Sequence, residues 1–438
     1  MGTRHLWQET RLGDVVQIKH GWPFKSECFC QWSPGVPVVV NIGNFQYTGG
    51  FRFETTQLKG YSGEYPSDYQ LAPGDILLVM TCQTPGGEIL GIPGRIPNDG
   101  IKYLHNQRMG KVVVTRPDLI DLDYLYWVFL WQEFNQELVA SSSGTKIVHT
   151  APTRIEAFRF IRPSLNEQHA IARILRALHD KLALNRRMNR TLEAIAQALF
   201  HSWFIDFGPV TARREGRKPI GMDDATAALF PAHFQETDMG PIPAGWKAGS
   251  TIDIARYVNG KNFTKNASGT GRMVIRIAEL NSGPAVSTIY NDVNANPENI
   301  AFPDDLLFSW SGSLDVYRWH RDAALVNQHI FKVVCEKYPQ WFVHYHLQDA
   351  MTFFQGIAAD KATTMGHIKR EHLSQFDVAL PPAELINAAN RIIRPIYDRI
   401  HRNERQILSL AALRDTLLPQ LLSGELRVGN AEKMIGKA

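Results

Sequence analysis

Much of this chain is written twice. Trp7, Asp14, Gly21 and Phe24 recur as Trp246, Asp253, Gly260 and Phe263 at one constant offset. Thr145, His149, Phe158 and Pro163 recur as Thr363, His367, Phe376 and Pro381 at a second offset, which also carries Ile174, Asp180 and Asn185 onto Ile392, Asp398 and Asn403. A repeat of this length is a duplicated domain, not a solenoid of short units. It restricts the fold to two similar globular units alternating with two similar connecting stretches.

The connecting stretches read as long helices. Pro163-Ser164 offers a start, with Glu167 in the first turn to complement the helix dipole, and no Gly or Pro follows until Gly208-Pro209. Ile171, Leu175, Leu178, Leu182, Asn185, Leu192 and Leu199 fall at alternating steps of three and four, the seam of a coiled coil. About 40 residues at ~1.5 Å each make a rod of ~60 Å. The second seam is Ala389, Ile393, Ile396, Ile400, Asn403, Ile407, Leu410 and Leu417. Pro395 lies inside that stretch and is expected to kink it or break one turn. Each rod is apolar along one stripe, and the economical partner for one is the other. The expected architecture is α+β: two pseudo-twofold-related α/β units separated by two long helices that form an antiparallel coiled coil. Asn185 and its equivalent Asn403 are then expected to face each other mid-rod and fix register.

Residues 1–163 form the first unit and 164–207 the first long helix. Residues 208–243, polar and Pro/Gly-punctuated with a helical patch at Asp223–Phe230, read as a link. The second unit spans 244–382, the second long helix 383–424 and a tail 425–438. Within the units, strands are expected at Val36–Val40, Asp75–Met80, Lys111–Thr115, Met273–Ile277, Asp305–Trp310 and His329–Cys335. Helices are expected near Asp121–Leu138 and Pro339–Phe354.

The net charge of the 438 residues is +4, and the globular units are balanced, with 15 Lys+Arg against 15 Asp+Glu in 1–163 and 13 against 13 in 244–382. A nucleic-acid binder of this composition must segregate its cations onto one face. The four cysteines, Cys28, Cys30, Cys82 and Cys335, show no zinc spacing. No apolar run reaches the roughly 18 residues of a membrane span. The start "MGTRHLWQET" has no apolar signal core, so a reduced, cytoplasmic protein is expected.

Catalytic motifs are missing. There is no phosphate-binding G-x-x-x-x-G-K-[ST] loop, no Asn-Pro-Pro-aromatic tetrapeptide and no H-x-x-x-H pair. Pro303-Asp304-Asp305 opens like a nuclease motif, but no Glu-x-Lys follows. Its counterpart Pro73-Gly74-Asp75 marks a structural turn. What the chain offers is loops of amides, hydroxyls and cations suited to base edges and phosphates. In the first unit these are Lys19, His20, Trp22, Lys25, Thr81, Gln83, Thr84, His105, Gln107, Arg108, Ser143, Thr145 and Lys146. In the second they are Asn259, Lys261, Asn262, Lys265, Trp310, Ser311, Ser313, Gln328, Thr364, His367, Lys369 and Arg370. Asn106-Gln107 and Asn327-Gln328 sit just before strands, where they could equally satisfy buried backbone groups.

"LNEQHAIARILRALHDKLALNRRMNRTLEAIAQALFHSWFIDFGPV" (165–210) resembles the central helical region of the specificity (S) subunits of Type I restriction–modification systems. "MGPIPAGWKAGS" (239–250) resembles the segment opening their second target-recognition domain; "ALVNQHIFKVV" and "RDTLLPQLLSGELRV" are similarly typical. The resemblance covers nearly the whole chain. It implies that each unit is a target-recognition domain reading half of a bipartite double-stranded DNA site through the major groove. It implies that the helices act as a ruler and dock two methyltransferase (M) subunits, joined by restriction/motor (R) subunits. S-adenosylmethionine, ATP and Mg belong to those partners, and this chain alone is expected to be enzymatically silent. The other readings are a DNA-recognition subunit of a related phage-defence system, a coiled-coil scaffold that reads no DNA, and a single-chain nuclease or methyltransferase.

Overall fold

The computed structural model describes residues 7–360 and 366–435. The chain divides into two compact units, Met1–Lys181 with Leu410–Ala438, and Leu182–Ser409. Each long helix therefore contributes one part to each unit.

In the first unit the strands Val16–His20, Met109–Val114, Ile76–Val79 and Pro93–Arg95 lie side by side in that order, all antiparallel. Ile76–Val79 is buried at every position, as a strand covered on both faces must be. A second sheet orders Phe29–Gln31, Lys59–Tyr61, Val38–Val39, Tyr103–Leu104 and Gln70–Leu71, with Val38–Val39 parallel to Tyr103–Leu104. Gln8–Arg11 pairs antiparallel with Arg159–Arg162, so the unit closes on itself just before the first long helix.

The second unit repeats this plan. Arg256–Asn259, Ile330–Val334, Leu306–Ser309 and Asp315–Arg318 form the four-stranded antiparallel sheet. Arg272–Ile275 runs parallel to Ala324–Val326, and Lys247–Ser250 pairs with Asp377–Leu380 to close the unit. The helical expectation near Asp121–Leu138 resolves into Leu122–Phe129 and Gln132–Ala140, and that near Pro339–Phe354 into Gln340–Asp349 and Met351–Asp360. Asp121 caps the first of these, accepting from Tyr124 N at 2.8 Å.

The turn before each central strand is built alike. Gly74 and Asp304 adopt left-handed conformations, φ +91° and +87°. Asp75 and Asp305 each accept a backbone N–H at 2.8 Å, from Ala72 and Phe302, and pair with Lys111 and Lys332 at 2.6 and 2.8 Å. The nuclease-like Pro303-Asp304-Asp305 is thus occupied by turn formation.

The first long helix spans Leu165–Phe200 and ends in a π-helical turn, His201–Ile205. Its start is tied into the first unit through Glu167, which accepts from Trp7 Nε1 at 3.2 Å, Ser164 Oγ at 3.1 Å and Arg427 Nη1 at 3.0 Å. Ile171, Leu175 and Leu178 share a core with Leu417, Leu418, Leu421 and Leu422 of the second long helix. That helix, Ala383–Leu422, runs without a broken turn through Pro395. Pro395 lies on the exposed side, and the Ile393–Tyr397 flank carries the packing.

Within the second unit the helices are antiparallel, because Asn185 bonds Gln406 while Asn189 bonds Asn403. Asn185 and Asn403 are both buried, as seam residues should be, but they do not bond each other. Asn185 Nδ2 donates to Gln406 Oε1 at 2.9 Å, and Asn403 Nδ2 to Asn189 Oδ1 at 2.7 Å. The centre of pairing lies close to Arg187 and Arg405, about one helical turn from the expected register. Past Asn185 the buried stripe runs through Asn189, Ala196 and Phe200, leaving Leu192 and Leu199 half-buried.

Two further expectations change. Residues 208–243 are folded into the second unit: Gly208–Arg214 and Asp224–Ala228 are helices, and Phe234–Thr237 pairs with Gly240–Pro243. Val210, Phe230 and Ile242 join Trp203, Phe204 and Trp246 in its core. The tail carries a helix, Val428–Ile435, whose Ala431 is fully buried in the first unit. Gly424, at φ +76° and against Trp7, makes the stop between the two helices. Among the described residues no helix is long and apolar enough to cross a membrane.

Candidate nucleic-acid interface

The loops flagged by sequence gather at one end of each four-stranded sheet. His20 pairs with Gly110 and Val79 with Met109, so residues 21–25, 80–84 and 105–108 all leave the first sheet together. Three backbone bonds knit them: Trp22 N to His105 O at 2.8 Å, Gln107 N to Trp22 O at 3.1 Å, and Met80 N to Arg108 O at 2.9 Å. A fourth loop is added where Val148–His149 pairs with Thr81–Cys82. In the second unit, Lys261 N donates to Val326 O at 3.1 Å, Trp310 N to His329 O at 3.2 Å, and Gly312 N to Gly366 O at 3.0 Å.

The repeated glycine is explained here. A Cβ on Gly21 would lie 2.2 Å from the Asn106 carbonyl oxygen, and one on Gly260 would lie 2.0 Å from that of Asn327. Both opposing atoms are backbone, so nothing flexible can give way. Gly260→Ala is expected to destabilise the second unit by ~1–3 kcal/mol through this overpacking. A thermal transition lowered by roughly 2–10 °C would report it, and an unchanged transition would contradict it.

The frame sorts the candidates. Lys19, His20, Lys25, Gln83, Thr84, Gln107, Arg108, Ser143, Thr145 and Lys146 are exposed in the first unit. Asn259, Lys261, Asn262, Lys265, Ser313, Gln328, His367, Lys369 and Arg370 are exposed in the second. Trp22 and Trp310 are half-buried, and Thr364, like Thr363 of the repeat, lies outside the described residues.

Three candidates face inward instead. His105 is 3% exposed, and its Nε2 is 2.9 Å from the Met109 carbonyl. Burial drives its pKa down to about 4, so it stays neutral and structural. Thr81 is buried with its hydroxyl 3.0 Å from His149 Nδ1, which pins the fourth loop. Ser311 is buried, 3.4 Å from His329 Nδ1. Two exposed candidates also have local duties. Asn262 Oδ1 accepts from Thr264 Oγ1 at 2.8 Å and from the backbone of Thr264 and Lys265, making a side-chain-closed turn. Thr84 donates to Glu88. Asn106 likewise spends its Oδ1 on Arg108 N at 3.0 Å.

The first unit also has a cleft of about 460 Å³ that brings together Gln83, Asn106, Gln107 and Arg108 with Asn41 and Lys59. Asn41 and Lys59 escape sequence reading, because only the pairing of Lys59–Tyr61 with Phe29–Gln31 and Val38–Val39 carries Lys59 to this rim. Ser143, Thr145 and Lys146 do not line it. Among the described residues no group of three or more His, Cys, Asp or Glu is placed to hold a metal ion.

Residues 5–194 match the model of the Type I restriction modification DNA specificity domain. The chain is 24% identical over 453 residues to the Type I restriction enzyme MjaIX specificity subunit of Methanocaldococcus jannaschii, covering 96% of this chain and 94% of that one. It is 22% identical over 479 residues to the Type I restriction enzyme HindI specificity subunit of Haemophilus influenzae, covering 96% and 99%. The crystal structure of the Type I restriction-modification system S subunit from M. genitalium shares the fold, with a TM-score of 0.59 at 14% identity over 96% of this chain and 98% of that one. A specificity-domain match over residues 5–194 and relatives of one kind aligned over nearly the whole chain agree with the doubled loop frame, and the chain is similar throughout to the specificity subunits of Type I restriction enzymes.

Proposed function

We propose that this chain is the DNA-reading subunit of a Type I restriction–modification complex and that it reads a bipartite duplex site. The carrying observation is that both units build the same loop frame at one sheet end yet present different side chains from it. Gln83 and Arg108 in the first frame stand where Ser313 and His329 stand in the second, while Gln107 and Gln328 are alike. A shared scaffold with unlike heads suits two unlike half-sites. Lys25 and Lys261 anchor phosphates; amides, hydroxyls and Arg read base edges. The long helices set the spacer and dock methyltransferase (M) and restriction (R) subunits. Those partners bring S-adenosylmethionine, ATP and Mg, and this chain catalyses nothing alone.

Methylome sequencing of a host carrying the intact complex should reveal one bipartite methylated motif with a fixed spacer. Its absence would refute the reading. Inserting four residues after both Arg187 and Arg405 preserves the antiparallel pairing and lengthens each helix by about 6 Å. The spacer is then expected to grow by roughly two base pairs, at ~3.4 Å each. An unchanged spacer would remove the ruler role.

A further inference from the structure

We infer that Arg108 is the guanine reader of the first unit, with the amides of Gln83 and Gln107 reading the neighbouring bases from the same cleft. The inference rests on the DNA-reading proposal and names the residues and base that it leaves open.

Three observations carry it. First, the cleft holds two cations, Arg108 and Lys59, and no carboxylate, whereas four other hollows of the described surface each carry at least one Asp or Glu. A DNA edge and its phosphates are met there without an opposing charge. Second, the heads are unspent. Among the described residues the side chains of Gln83, Gln107, Arg108 and Lys59 make no hydrogen bond or ion pair, unlike that of Arg116, which is held by Asp118 at 2.7 Å. Third, the arginine is pre-positioned. Its N–H is held by Asn106 Oδ1 at 3.0 Å and its carbonyl by Met80 N at 2.9 Å, so only the side chain remains to be ordered on binding.

Arginine matches the O6 and N7 acceptors of guanine in a two-pronged contact, and a glutamine amide matches the N6 and N7 of adenine. Lys59 on the rim supplies a point charge for a phosphate. The second unit lacks this arrangement. His329 stands at the equivalent turn and is already engaged by Ser311 Oγ at 3.4 Å and Gln328 Nε2 at 3.2 Å. The two half-sites should therefore differ at this position, with arginine-type guanine reading confined to the first.

The test is the methylated motif of the intact complex carrying wild-type chain, Arg108→Ala, Arg108→Lys or, as a cross-control, His329→Ala. Arg108→Ala is expected to relax one guanine position of one half-site by about tenfold to a hundredfold. The other half-site and the spacer should be unchanged, and His329→Ala should leave the first half-site unchanged. Arg108→Lys should restore part of the preference. Retention of the full wild-type motif by Arg108→Ala would overturn the assignment while leaving DNA reading intact. A uniform fall across all sequences, with a shallower salt dependence, would also overturn it by making Arg108 a phosphate contact. If the wild-type complex yields no bipartite motif, the DNA-reading proposal fails and this inference with it.

Discussion

Arg318→Ala is expected to destabilise the second unit by ~3 kcal/mol, near the lower end for breaking a buried ion pair from one side. Its side chain is 4% exposed and lies between the globular part of that unit and the second long helix. The guanidinium sits 3.6 Å over the Tyr397 ring, donates Nη1 to the Tyr397 carbonyl at 2.5 Å, and pairs with Asp304 and, at 3.8 Å, Asp398. Both carboxylates keep about a third of their surface in water, which screens the charge left behind and holds the cost to that lower end. Next to this arginine, His320 Nδ1 and His401 Nδ1 are 2.9 Å apart, and His344 Nδ1 is 3.1 Å from Tyr397 Oη. Burial first, then His401 and Arg318, push the pKa of His320 to about 3; burial and Arg318 do the same for His344. A histidine held neutral in this way contributes stability that is present above its unfolded pKa of ~6.5 and is lost as pH falls towards its folded value. Removing Arg318 lessens that depression, so the variant's deficit should be larger at pH 7 than at pH 4. Hydrogen exchange over residues 383–409 of the full chain would measure it. Equal deficits at the two pH values would show that Arg318 does not act through the histidines.

What sequence revealed, and what it hid, follows from which interactions decide each feature. The long helices were legible because an apolar stripe at coiled-coil spacing is a local signal. Their register was not, since Asn185 can meet Asn403 or Gln406 with little change in spacing, and the choice falls to partners on the opposite helix. The stretch 208–243 reads as a mere link because it is polar and punctuated by Pro and Gly. Its Phe230 and Phe234 nevertheless have aromatic partners in the second unit, Phe230 packing on Trp203 and Phe234 on Phe207. In the recognition loops, residue type alone could not separate His105 from Arg108. Three positions apart, one is sealed beneath the sheet end and the other is exposed. Lys59 was invisible because strand pairing, not sequence proximity, brings it to the cleft.

The second large effect concerns the polar layer of the helix pair. Asn189→Ala is expected to cost ~2–4 kcal/mol. Asn189 Oδ1 accepts from Asn403 Nδ2 at 2.7 Å, and its Nδ2 reaches Glu404 Oε1 at 2.6 Å and the Ile400 carbonyl at 3.3 Å. Alanine would strand the Asn403 amide, itself 2% exposed, at roughly 1–3 kcal/mol for an unsatisfied buried group. Glu404 is half-buried and can turn to solvent, so it adds less. The pair can be removed together. Asn189→Leu with Asn403→Leu replaces two mutually satisfied amides by apolar side chains, and stability should return to within about 1 kcal/mol of wild type or exceed it. Of the polar layer only the Asn185–Gln406 bond would then favour the observed register over one a helical turn away, ~5.4 Å along the axis. If the helices set the spacer, the double variant should be stable yet methylate sites of more than one spacer length. A double variant that remains as unstable as Asn189→Ala would mean the layer is held by packing rather than by its hydrogen bonds. One that is stable with a single wild-type spacer would mean that register is fixed elsewhere along the helices.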